Sequence, residues 1–513
     1  MKSFIKINQT FWKNYNEPVN TNLLLVEASH HPVIFHSNAV VGKMIAQAKN
    51  LTIAWIGTAT NPKILLSYSP TSICLSFLRP DLLLTVTLFL QALFYYIYFS
   101  LHPQKLLTFT YRGIPYGDFV YDGYLSHCSV ATLHRYDIRL ITVFNQVLIK
   151  DNQARKIINK YPIKAVLVSH YVGLEFGPLS RVALQQRIPV YWRSGGHGII
   201  TLSIVKNLSE RYAYPIRPTI NKINQLVKNQ PHQLTIDFRK LINHVNNPYY
   251  GAFSVAYNGS LKSKVTRQKF ITDLNLTDKP LVFILLHAFN DHPHSHFGKM
   301  LFNDYFDWFQ KTYRFACQNP SKNWIFKEHP ANQHYPTMDF NLNRFMQHTP
   351  SHVKFIARNS SITAATVLNV ADLIVTCLGT AGIEMPALRG IPSLIAARTF
   401  YDGLGFTLEP KSRRAYFDIL KQSHYQKLSH NQRLKAQASY VYFKKYVLFP
   451  FHAGPKVTLQ EILSPELLRS SYYNRIISNY GRFHRIIYKE FNECIKQIQK
   501  EKFRCLTNLP PSY

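Results

Sequence analysis

Acidic residues are scarce in this chain. Only 27 Asp and Glu stand against 60 Lys and Arg across 513 residues, a formal charge of +33. Such an excess favours anionic partners: nucleic acid, anionic lipid headgroups, or phosphorylated and acidic sugars. Cysteine is also sparse, and Cys74, Cys128, Cys317, Cys377, Cys494 and Cys505 show neither CxxC nor Cys/His ligand spacing. A zinc site and a disulfide framework are therefore not expected, and free thiols in a reducing compartment are. No Walker sequence, GxGxxG or GxSxG occurs, which disfavours a P-loop NTPase, a dinucleotide enzyme and a serine-elbow hydrolase. Repeats, low-complexity tracts and nucleic-acid modules are missing too, so no nucleic-acid partner is expected from charge alone. Met1 to Asn8 lacks the apolar core and cleavage site of a secretory signal, and a cytoplasmic location is expected.

What is present is a folded chain. The hydrophobic content is 46% and the aromatic content 14%, too high for disorder, and the length suits two or three domains. The stretch from Leu281 to Thr407 organises it. Leu281 to Leu286 is a buried-strand pattern ending at His287, and Trp324 to Phe326 is another apolar run, stopped by Lys327-Glu328-His329-Pro330. Leu373 to Leu378 then gives way to Gly379-Thr380-Ala381-Gly382-Ile383-Glu384, a strand, a tight turn and a helix start. In an open parallel α/β sheet, ligands sit outside the carboxyl ends of the strands, so these polar residues are expected to converge.

Before this region, Thr21 to Val26, a helix from Ser37 to Lys49 and Leu51 to Ile56 form a βαβ unit closed by Gly57-Thr58-Ala59-Thr60. Ala165 to Val168 is a further strand pattern leading to Ser169-His170-Tyr171 and Glu175. After a helix near Pro178 to Gln186 and a strand from Ile188 to Trp192, Arg193 to Gly198 is expected to be a flexible cationic turn. The expected fold class is thus α/β, two Rossmann-like domains facing across a cleft, with a helical C-terminal extension. The expected units are an acceptor-side domain over 1–204, a mainly helical connection over 205–275, a nucleotide-donor domain over 276–410 and a basic helical extension over 411–513. Tyr442, Tyr446 and Phe449 lie at helical spacing in that extension, where core packing is favoured over base stacking.

Leu82 to Leu101 carries no charge for twenty residues, long enough to cross a bilayer. A crossing would place the halves of one α/β domain on opposite sides of a membrane. A buried or membrane-surface helix is favoured, the latter suiting contact with anionic lipid.

Chemically, the Gly379 to Gly382 turn offers backbone N–H groups, the Thr380 hydroxyl and the positive end of a helix dipole, which suit a phosphate. Lys327 supplies a point charge and His329 a hydrogen-bond donor to phosphate oxygen. Glu384 suits ribose hydroxyls, and His287 lines the cleft. In Tyr111 to Gly123, Asp118 and Asp122 share a face if the segment is helical; capping and turn roles are the alternative.

Phe326-Lys327-Glu328-His329-Pro330 with the Gly379-to-Glu384 turn resembles the C-terminal half of GT-B glycosyltransferases. The similarity is greatest to the bacterial capsule polysaccharide biosynthesis proteins, which include transferases of the acidic sugar Kdo. Gly113-Ile114-Pro115-Tyr116-Gly117-Asp118-Phe119-Val120-Tyr121-Asp122 resembles a loop in their N-terminal half, and Arg398 to Thr407 resembles their aromatic, glycine-containing segment. The resemblance covers about residues 20 to 450. It implies a metal-independent transferase in which His329 and the Thr380 hydroxyl contact the phosphate of a nucleotide-sugar, CMP- or CDP-linked, and no cofactor is needed. The acceptor would be a lipid-linked glycan at the inner-membrane surface, the enzyme being peripheral to it. It implies a carboxylate base from the N-terminal half, for which Asp118, Asp122 and Glu175 are candidates. A glycerol-phosphate transferase using a CDP-activated donor and a non-catalytic capsule export or assembly factor are the alternatives.

Overall fold

The computed structural model describes residues 2–508 apart from 16–18, 58–60, 78–79, 213, 215, 244–264, 464 and 469–470. The expected turn at 58–60 and the middle of the 205–275 connection therefore lie outside the described residues. Among the described residues, fourteen strands fall into two large sheets and one hairpin.

The first sheet contains β1 (Leu23–Glu27), β2 (Thr52–Ile56), β3 (Ile73–Leu75), β6 (Ile163–Val168), β7 (Val190–Gly195), β8 (Gly198–Val205) and β14 (Phe449–Phe451), while β4 (Thr110–Tyr111) and β5 (Ile114–Pro115) form the hairpin. Its order is β14-β8-β7-β6-β1-β2-β3. The strands from β7 to β3 are mutually parallel. β1 and β2 are buried throughout, as the unbroken apolar runs of a sheet covered on both faces require. The second sheet contains β9 (Leu281–Leu285), β10 (Asn323–Lys327), β11 (Val353–Ile356), β12 (Leu373–Thr376) and β13 (Ser393–Ile395), in the order β11-β10-β9-β12-β13, all parallel. Both large sheets have the doubly wound, Rossmann-like strand order, and the two domains are in contact.

Helix 117–128 and the turn after it form the bridge between them. Tyr121 and Thr132 both donate to Asp304 Oδ2, at 2.7 and 2.6 Å. Asp122 accepts the backbone N–H groups of His294 and Ser295, and Asp339 accepts from the Ala131 N–H. Sequence had left Asp118 and Asp122 open between a shared helical face and turn roles; both are buried on the Gly117–Cys128 helix.

Two expectations are corrected. Arg193 to Gly198 is no flexible turn: β7 and β8 run antiparallel through it, and the fully buried Arg193 donates to Asn38 Oδ1 and Gly195 O. Nor is 411–513 a separate extension. Its first part, helix 430–441 and the π-helical turn Tyr442–Tyr446, packs on the second domain, with Tyr442 and Tyr446 buried in that core. From 449 onward the chain returns to the first domain, where β14 pairs with β8 and the Tyr472–Gln499 helix covers the first sheet. Helix Lys2–Trp12 joins it there: Trp12 donates to Tyr480 at 2.9 Å, and Phe11 stacks on the same ring at 3.8 Å. The apolar periodicity was visible, but the partner surface is more than 400 residues away in sequence.

Phe491, fully buried between Trp12 and Tyr15, tests this return. Phe491→Ala is expected to cost about 3–5 kcal/mol in chemical denaturation of the first domain.

Candidate active site

In an open α/β sheet the crevice opens where strand order reverses. In the second sheet that point lies between β9 and β12. His287 follows β9, and its Nε2 lies 3.1 Å from Thr376 Oγ1 at the end of β12. The same nitrogen accepts the Leu378 N–H at 3.3 Å, so the lone pair sits on Nε2. Burial and then the charge of His329 hold the His287 pKa down to about 3. His287 therefore stays neutral and shapes the turn that precedes Thr380, in addition to lining the cleft.

Around it lies a cavity of about 110 Å³ that gathers His287, Lys327, His329, Gly379, Thr380 and Glu384. All six residues singled out from sequence for this site are thus brought together. Lys327 closes β10, and among the described residues its ammonium makes no hydrogen bond or ion pair; burial lowers its pKa. Burial lowers that of His329 as well. Glu328, buried between them in sequence, points away: it accepts from Asn332 Nδ2 at 2.7 Å and from the Arg358 N–H at 3.0 Å, which fixes the turn carrying His329.

Thr380 is exposed and precedes the Ala381–Arg389 helix. Glycine is required at 382, because a Cβ there would lie 2.1 Å from the Tyr401 hydroxyl, which donates to Gly379 O at 2.6 Å. Glu384 is buried at the cavity wall, where it pulls on the charge of Lys444; burial brings Lys444 down to about 8. Lys444 was not singled out from sequence. It stands in the π-helical turn, a local widening often found at functional sites, and its only signal was one lysine pair in an aromatic run.

The first sheet repeats the arrangement. Its order reverses between β1 and β6, and there Ser169, just past β6, meets Glu27 at the end of β1. Ser169 Oγ lies 2.8 Å from both Glu27 oxygens and its N–H donates to Oε2 at 2.6 Å. The hydroxyl proton goes to the carboxylate, so Oγ accepts from His170 Nδ1 at 3.1 Å. That leaves His170 Nε2 as the proton-accepting edge of an exposed imidazole. Burial, Arg193 and His292 lower its pKa, so it is neutral near pH 7.

Facing it is the loop after β9. His292 comes so near that a Cβ on Gly173 would lie 3.8 Å from its Cε1, and the His292 and His296 rings are 6.0 Å apart. Burial, with the charges of His292 and His170 adding to it, lowers His296 to about 4. Among the described residues, no three His, Cys, Asp or Glu side chains converge as a metal-holding group. His292 and His296 were not singled out; the concentration of Asn, Asp and His over 290–296 was the available signal.

The proposed carboxylates fare differently. Arg181 grips Asp118 with both terminal nitrogens, and the Tyr212 hydroxyl donates to it at 2.7 Å. Burial raises its pKa, but Arg181 and these hydrogen bonds outweigh it and hold it below the usual carboxylate value. A carboxylate so committed is a poor base. Asp122 is fully buried in the domain bridge, out of reach of an acceptor. Glu175 alone of the three is exposed, on the loop that carries Gly173.

No protein-family model and no curated protein matches the chain. Solved structures it is similar to include the UDP-GlcNAc 2-epimerase from Neisseria meningitidis bound to UDP-GlcNAc, at 12% identity over 92% of this chain and 100% of that one, TM-score 0.21. MurG of Acinetobacter baumannii is 11% identical over 93% and 99%, TM-score 0.20, and the trehalose 6-phosphate synthase of Burkholderia multivorans 10% over 92% and 97%, TM-score 0.29. Superpositions this loose carry no weight for activity.

Burial lifts Asp122 to about 6, against the attraction of His294 and the Ser295 hydrogen bonds. An unfolded aspartate titrates near 4. The folded state therefore holds the proton more tightly, and this residue's contribution to stability grows as pH falls from about 6 to about 4. In Asp122→Asn, denaturation midpoints compared with the wild type across that window are expected to lack this rise.

Proposed function

We propose that the protein is a glycosyltransferase of capsule or surface polysaccharide synthesis. It would act in the cytoplasm and move a sugar from a nucleotide-activated donor to a lipid-linked or glycan acceptor. The observation that supports this reading is the convergence of three strand ends of the second sheet on one cavity, with Lys327, His329 and the Gly379–Thr380 turn around it. The donor phosphate sits there, at the first turn of the Ala381–Arg389 helix. Glu384 faces the ribose. As the bond from sugar to phosphate breaks, charge building on the leaving phosphate is met by Lys327 and fixed N–H donors, a role this reading gives to the protein rather than to a metal.

The acceptor binds on the opposite wall. Its hydroxyl gives its proton to His170 Nε2, while Glu27, through Ser169, holds the imidazole in the accepting tautomer. The base is thus assigned to a histidine, with Glu175 as the carboxylate still placed to contribute.

A thermal-shift series with CMP, CDP, UDP and GDP tests the donor site. One nucleotide is expected to raise the melting temperature, a hundredfold excess over Kd contributing about 2.7 kcal/mol. Lys327→Ala should lose that response without a lower melting temperature of its own. A folded protein indifferent to all four would remove the donor reading.

Once a donor is known, His170→Gln is expected to lower kcat roughly 10²- to 10⁴-fold while leaving the nucleotide response intact. Full activity in that variant, with loss in Glu175→Gln, would transfer the base to Glu175.

A further inference from the structure

The Leu82–Leu101 helix is twenty residues long and uncharged, about 30 Å at the usual rise, and it is only half packed. On one side Leu88, Ala92 and Phe99 are buried in the first domain, the Phe99 ring 5.5 Å from Phe109 and 5.8 Å from Phe144. On the other, Leu83, Val86, Leu90, Phe94, Ile97 and Leu101 recur every three or four positions and form one line along the outer face. Leu83 is 78% exposed, Phe94 and Leu101 are each 64% exposed, and Leu90 is 58% exposed. A soluble surface seldom leaves so long an apolar stripe uncovered.

Both threonines beside the stripe are satisfied within the helix. The Thr85 and Thr87 hydroxyls donate back to Asp81 O and Leu83 O, at 2.8 and 2.9 Å. Exposed Tyr136 and Ile138 extend the apolar surface sideways, the Tyr136 carbonyl accepting from Tyr96.

Cations stacked on aromatic rings surround the face. Lys105 lies over Tyr98, a residue of the helix itself, and Arg135 over Tyr136. Arg112 lies over Tyr111, whose hydroxyl donates to Gln91 of the helix. Asp81 is spent capping the helix, and Asp137 is paired with Arg139.

We propose that this helix lies in the plane of an anionic bilayer surface, its outer stripe sunk among the acyl chains and Lys105, Arg112 and Arg135 at the phosphates. Crossing the bilayer would tear Leu88, Ala92 and Phe99 from the first domain's core. Charge decides the occupant. A straight apolar line with no hydrogen-bonding group of its own, rimmed by cations on a +33 chain, complements an anionic lipid surface. The proposal stands on this surface alone and does not depend on the transferase reading.

The test is sedimentation of the full chain with vesicles of phosphatidylcholine, with and without phosphatidylglycerol, across a salt series. Binding to the phosphatidylglycerol vesicles, weakened by salt, is the expected result. Leu90→Glu combined with Phe94→Glu changes only exposed positions. It should keep the circular dichroism and melting of the wild type while lowering vesicle affinity at least about tenfold. Lys105→Gln and Arg135→Gln should each lower it roughly fivefold. Failure of the wild type to bind, or equal binding by the Leu90→Glu, Phe94→Glu variant, would overturn the proposal. A wild-type dimer that this double variant turns into a monomer, with no vesicle binding, would assign the face to a second copy of the chain.

Discussion

In each domain the crevice where strand order reverses is spanned by one polar contact, Glu27 to Ser169 in the first and His287 to Thr376 in the second. These contacts tie together the strand ends that carry the candidate site residues. Each also consumes one group to orient another. Glu27 spends its charge on a serine and thereby fixes a histidine, and His287 spends its lone pair on a turn and thereby presents Thr380. Burial makes both arrangements stiff: water cannot compete for the carboxylate, and an imidazole held near pKa 3 does not gain a proton that would break its bonds.

The domains are joined with the same economy of charge. The carboxylates of Asp122 and Asp304 are both buried at the bridge, each holding donors from the neighbouring domain. A buried carboxylate without donors is costly, so separation of these surfaces is opposed by more than apolar contact. Across this contact His170 of the first domain faces His292 and His296 of the second.

The second domain was legible from sequence because its site is local. Each of Lys327, His329 and Gly379–Thr380 directly follows an apolar run, and strand periodicity places such residues at a sheet's carboxyl edge. The first domain was legible as a fold but not as a site. Asp118 and Asp122 stayed open between candidate bases and capping or turn roles because their partners, Arg181 and the backbone of 294–295, lie 63 or more positions away. Spacing along a chain says nothing of such pairing. Glu27, Ser169 and His170 each ended a recognisable strand, yet only the pairing of β1 with β6 brings them into one hydrogen-bonded chain. The same limit hid β14: three residues containing a proline carry no strand signal until β8 supplies an edge.

That late strand bears on how the chain acquires its shape. Residues 449–506 complete a sheet begun at Leu23, and Trp12 is enclosed by Tyr480 and Phe491. The second domain, whose strands run from Leu281 to Ile395, can close its sheet while the ribosome still holds the remainder. The first domain cannot. Its hydrophobic layer is covered by residues that follow the second domain's strands in the chain, so completion of the first domain is coupled to synthesis of the second.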